Sequence, residues 1–155
     1  MAKFILLSML ILPWLTLFLI KKHSIKRFMP AAILASLLVT IVFEIGYLYD
    51  WWKVQVKIAP WDEITSVPLT YGVFLVGTIW VFYFAFDRKF WVYMLTNILM
   101  DGFYSFIVLN ILIRFGIYKL VNMGNLGIFM LMILIAVIVY TYQKWQDSIM
   151  KSKLV

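Results

Sequence analysis

Five stretches of the chain, residues 4–20, 29–49, 67–86, 90–113 and 126–142, run almost without charge and are separated by short polar or basic segments. A helix rises 1.5 Å per residue, so each is long enough to cross the hydrocarbon core of a bilayer, the first and last only just. The pattern predicts an all-α fold: a polytopic bundle of five transmembrane helices that makes residues 1–155 a single domain. Pro13 falls in mid-span and predicts a kink, whereas Pro30 and Pro68 fall in first turns, where a missing N–H costs little. Gly72, Gly77 and Thr78 permit close helix approach but lack the four-residue repeat of the usual small-residue motif. The turn Asp87-Arg88-Lys89 is so short that the third and fourth spans must pack antiparallel.

The connections carry their own pattern. In the loop 50–66, Trp51, Trp52 and Trp61 suit a membrane–water boundary. The run Trp52-Lys-Val-Gln-Val-Lys-Ile58 alternates as a short strand would, yet Trp51, Val54, Ile58 and Trp61 also fit one helical face, and both readings stand. Asp62 and Glu63 precede the third span, where carboxylates favour the positive end of a helix. Residues 114–125 are turn-rich, and the tail from Gln143 is basic and polar, with Trp145 as an interface anchor. The first apolar run reads as a retained helix rather than a signal peptide, because the strong basic cluster follows it and no small-residue cleavage site appears.

Composition agrees with the pattern. Of 155 residues, 65% are apolar or aromatic and 14% charged, more apolar surface than a soluble domain of this size can bury. The net charge of +7 arises from short clusters between apolar runs, with no basic face along which a nucleic acid could lie, so no nucleic-acid partner is expected. Nine of the 14 Lys and Arg residues fall in the first loop, the third loop and the tail: Lys21, Lys22, Lys26, Arg27, Arg88, Lys89, Lys144, Lys151 and Lys153. The positive-inside rule then puts the N-terminus outside and the C-terminus in the cytoplasm. The absence of cysteine rules out disulfides, thiolate catalysis and cysteine-bound metal, and a lone His23 cannot build a two-histidine site, so no cofactor or metal is expected.

What chemistry remains lies on polar positions inside the spans. Asp101 sits near the middle of the fourth, at a depth where insertion costs roughly 2.5–3.5 kcal/mol. Asn97, Tyr104 and Ser105 share its stripe. On the second span, Ser36, Thr40, Glu44 and Tyr47 follow helical spacing along one face. If these stripes face each other, the protein holds a buried polar seam with two carboxylates, fit for a proton relay, a cation site or a cationic cargo. Glu44 lies nearer an interface and can snorkel. The plain alternative is that the seam only packs helices, since Asn, Ser and Thr often serve as interhelical glue. Asn110 reads as structural, a partner for Arg114. No nucleophile elbow, P-loop, metalloprotease helix or Gly-x-Gly-Asp pattern appears, so an enzyme reading has little support and a lipid-modifying enzyme stands only as a distant third alternative.

Lys26-Arg-Phe-Met-Pro-Ala, Phe43-Glu-Ile-Gly, Asp50-Trp-Trp, Tyr71-Gly-Val-Phe-Leu-Val-Gly-Thr-Ile-Trp80 and Leu95-Thr-Asn-Ile-Leu-Met-Asp101 resemble segments of an uncharacterised family of small five-span integral-membrane proteins of Gram-positive, spore-forming bacteria. The resemblance covers most of spans two to four. It implies a bacterial plasma membrane and a multi-pass, single-domain protein, and no chemistry. The expectation is therefore a transport or ion- or proton-conducting component of the cell membrane. The alternative is a non-catalytic subunit or assembly protein whose seam is structural. Its expected partners are the lipid bilayer and a second copy or another membrane protein.

Overall fold

Among the described residues five helices are long and apolar enough to cross a membrane, and they account for most of the chain. The structure is a computed structural model that describes residues 1–152, with side chains to residue 150. Of the basic tail residues, the Lys151 side chain and all of Lys153 lie outside the described residues. The helices are α1 (Ala2–Leu19), α2 (Lys22–Leu48), α3 (Pro68–Ala85), α4 (Phe90–Arg114) and α5 (Asn125–Ser152). Helix α2 touches α3 and α5, and α4 touches the same two, so α2, α3, α4 and α5 form a ring in which α2 and α4 are diagonal. Helix α1 lies outside this ring, against α3. The turn at Asp87–Lys89 does join two packed helices, α3 and α4.

Two helix starts differ from the hydropathy pattern. Helix α2 begins at Lys22, seven residues ahead of the apolar run, so Pro30 lies inside it rather than in its first turn. The carbonyl that Pro30 cannot serve belongs to Lys26, an exposed residue. Helix α5 runs on past residue 142 through the polar tail to Ser152. One cluster anchors both polar ends. Arg27 on α2 donates to Asp87 at 2.8 and 2.9 Å and to Asp147 on α5 at 2.5 and 3.3 Å, and its guanidinium also covers the Phe28 and Phe86 rings. Gln143 donates to Asp147 at 2.8 Å.

At the opposite end the connections fold together. Strand β1 (Trp52–Val54) pairs antiparallel with β2 (Tyr118–Leu120), matching Trp52 to Leu120, Lys53 to Lys119 and Val54 to Tyr118. The strand reading of the 50–66 loop is the observed one, and the second strand comes from the connection before α5. Alternation turns Trp52 inward, not to a boundary: it is buried against Phe43, and its indole fits where Gly46 lacks a side chain, since a Cβ there would stand 2.7 Å from the ring. Trp61 is exposed.

The Asp62 carboxylate is fully buried and accepts from the backbone N–H of Val67 at 2.8 Å and of Ile58 at 3.3 Å, holding the chain as it enters α3. Glu63 instead pairs with Lys57 at 2.8 Å, which holds its carboxyl below the usual range. Tyr118 donates to Ser66 beside them, and burial pushes its hydroxyl well above the usual phenol range, so it remains a donor at physiological pH. Asp62→Ala is expected to cost about 1–2 kcal/mol through loss of these caps, seen as faster hydrogen exchange at Val67 and Ile58. Unchanged protection at both amides would contradict the role.

Helices α3 and α4 each contain a widened turn, Pro68–Phe74 and Tyr104–Val108. Such turns tilt carbonyls off the helix axis, and here neighbouring side chains reach them. Trp14 Nε1 donates to the Tyr71 carbonyl at 2.9 Å and Asn125 Nδ2 to that of Ser105 at 2.6 Å, while Ser36 Oγ shares its proton between the Ala32 carbonyl at 3.1 Å and that of Thr70 at 3.3 Å. Asn125 also donates to Asn110 Oδ1 at 3.1 Å, and Asn110 Nδ2 donates to the Phe106 carbonyl at 2.7 Å, so the partners of Asn110 are these residues and not Arg114.

Candidate functional site

The diagonal placement of α2 and α4 decides the fate of the predicted seam. Within the ring α2 and α4 each pack mainly on α3 and α5, and the stripe on α2 is turned away from the stripe on α4. Ser36 and Thr40 turn toward α3, where Ser36 meets the Thr70 carbonyl and the Thr40 hydroxyl lies 3.3 Å from that of Tyr71. Glu44 and Tyr47 are exposed on the outer surface of α2. Glu44 is one turn from the end of its helix at Leu48. The two carboxylates are therefore not a pair.

The α4 stripe does face something. Asn97, Asp101 and Tyr104 line a half-enclosed cavity of about 310 Å³ at mid-height in the ring, whose walls come from every helix of the bundle. Ala35 stands for α2; Val73, Phe74, Gly77 and Thr78 for α3; Met132, Ile135 and Ala136 for α5; and Met9 for α1. The cavity reaches the surface along α4 at Met100 and Phe103, which are 54% and 55% exposed. Ser105, the fourth member of the stripe, is buried and turned toward Met132 Sδ at 3.4 Å.

Most polar side chains around the cavity are committed to the backbone. Asn97 Nδ2 donates to the Tyr93 carbonyl at 2.9 Å, the Tyr93 hydroxyl to the Ala136 carbonyl at 2.9 Å, and Thr78 Oγ1 to the Phe74 carbonyl at 2.8 Å. These bonds fix the wall and leave it largely apolar. Asp101 stands apart, partly buried, with no hydrogen-bond or ion-pair partner among the described residues. No cluster of three His, Asp or Glu side chains occurs among the described residues, so the site presents a single carboxylate. A second cavity, of about 60 Å³ beneath the strands, has no charged residue in its wall.

Sequence reasoning picked out Asp101, Asn97 and Tyr104 and missed the other walls. Gly77 and Thr78 read from sequence only as packing residues, and Met9 carries no signal of its own. The Arg27–Asp87–Asp147 cluster was also missed, because its members are 60 and 120 residues apart and Arg27 reads as one more basic topology residue. No family model, curated protein or solved structure matches the chain.

Proposed function

We propose that the protein is an integral component of a bacterial cell membrane, N-terminus outside and C-terminus in the cytoplasm, that takes up a proton or a monovalent cation at Asp101 and acts in transport across the bilayer. One observation carries the reading: a carboxylate without an internal partner faces a mostly apolar cavity at mid-height in a bundle of membrane-length helices. At that depth a carboxylate is costly, and a chain that meant only to pack its helices would satisfy it internally, as it does Asn97 and Tyr93. The charge instead points to something supplied from outside the chain. The clustering of Arg27, Arg88, Lys89 and Lys144 at the end of the bundle opposite the strands supports the orientation.

Asp101→Asn keeps the shape and the hydrogen-bonding capacity and removes the charge. In liposomes carrying a pH-sensitive dye and an imposed cation gradient, flux through the parent protein is expected to fall about tenfold or more in the variant, with helical content unchanged. Equal flux in a folded variant would overturn the reading.

A further inference from the structure

Outside the ring, an open groove of about 580 Å³ runs between α1 and α3, lined by Phe4, Leu12, Pro13 and Trp80 among others. It shares Met9, Val73 and Gly77 with the Asp101 cavity, so the two spaces adjoin at these residues. Gly77 is the gap between them: a Cβ built there meets nothing within 4 Å. The groove faces outward, where acyl chains lie if the helices span a bilayer.

The cavity wall discriminates among cations. An inorganic ion stripped of water needs several oxygen ligands, and here one carboxylate and the Tyr104 hydroxyl stand in a mostly apolar wall whose other polar side chains, Thr78, Tyr93 and Asn97, already bond backbone carbonyls. An organic cation needs no such cage. A quaternary ammonium is satisfied by aromatic faces and one counter-charge, and Phe74, Tyr93, Phe103 and Tyr104 line the cavity with Asp101. A volume of about 310 Å³ lies at the small end of ligand sites.

We propose that the cargo is a small lipophilic organic cation of the quaternary ammonium type, which enters sideways from the lipid through the α1–α3 groove and past Gly77 to reach Asp101. This rests on the assignment of Asp101 as a cation site. The cation partitions to the groove by its apolar body, and the missing side chain at residue 77 sets the width of the passage.

Labelled benzyltrimethylammonium and the protein in nanodiscs test this, with neopentylbenzene, its neutral carbon counterpart, as competitor and empty nanodiscs as background. The parent protein is expected to bind the cation saturably, Asp101→Asn to weaken it about tenfold or more, and neopentylbenzene to compete poorly. Gly77→Leu is expected to slow association and release about tenfold, and Gly77→Ala, whose methyl has open space, to fold normally with a smaller slowing. If both Gly77 variants bind at the parent rate, the lateral route is overturned while the Asp101 reading stands. If the parent binds no cation, or the neutral compound competes equally, the cargo class is overturned while the liposome flux still judges Asp101. If Asp101→Asn changes neither binding nor flux, the Asp101 reading itself falls.

Discussion

Replacing Arg27 with methionine is expected to destabilise the bundle by about 3 kcal/mol, the lower edge of the cost of removing one partner of a buried ion pair. The Arg27 side chain is 22% exposed and that of Asp147 only 10%, so the variant takes a charge-assisted pair of hydrogen bonds from a poorly solvated carboxylate, to which Gln143 still donates. The same arginine meets Asp87, which is 69% exposed, and that pair is screened by water. Asp87→Asn should therefore cost under about 1 kcal/mol. Arg27→Lys should fall between, because an ammonium keeps the charge but cannot present a planar fork to two carboxylates at once. Unfolding of the three variants in detergent, followed by near-ultraviolet circular dichroism, measures the order. A methionine variant as stable as the parent, or an Asp87→Asn variant equally damaged, would show that the buried half of the cluster is not what holds this end of the ring.

That cluster also shows what hydropathy leaves out. The apolar runs mark five helices because a membrane-length helix must be apolar over most of its surface, and all five are present. Their polar ends are invisible to the same signal. Lys22–Phe28 and the stretch beyond residue 142 carry Arg27, Gln143 and Asp147, which meet between the neighbouring helices α2 and α5, a tertiary contact that no local window contains. Trp52 illustrates the reverse case. Its type suits a membrane boundary, but pairing with Leu120 fixes the strand's face and turns the ring onto Gly46.

The site divides along the same line. Asp101 was legible because a charge inside an apolar run stands out, and Asn97 and Tyr104 because they lie one turn away on its stripe. What faces that stripe depends on the order of helices around the ring. Short loops settle only which helices are neighbours in sequence, as at Asp87–Lys89, and say nothing of the diagonal. Hence α2 supplies Ala35 to the cavity while its polar stripe is spent on α3 and the outer surface. The widened turns were equally hidden, since residues such as Thr70 and Ser105 fit an ordinary helix until a neighbour claims their carbonyls.

Gly72→Ala is expected to unseat α1 from α3, at a cost of about 1–3 kcal/mol for overpacking. Pro13 has no N–H to offer the Met9 carbonyl one turn earlier, and that carbonyl faces Gly72. A Cβ at residue 72 would stand 2.3 Å from the Met9 oxygen and 2.8 Å from Leu10 Cα. Both are backbone atoms, so the helix as a whole must move and no rotamer change relieves the clash. Moving it lengthens the bond from Trp14 to the Tyr71 carbonyl and the 2.8 Å bond from Trp80 to Thr16, the two polar ties between these helices. The chain has no cysteine of its own, so spin labels placed at the exposed Leu15 and Phe84 report the α1–α3 distance directly. The alanine variant should give a longer and broader distance distribution and a lower unfolding temperature, and Gly77→Ala, on the same helix but with open space at its Cβ, should change neither. An unaltered distance in Gly72→Ala would mean that α1 is not seated on this glycine. The groove beside Gly77 depends on the same seating, because Met9 and Pro13 form its wall only while α1 lies this close.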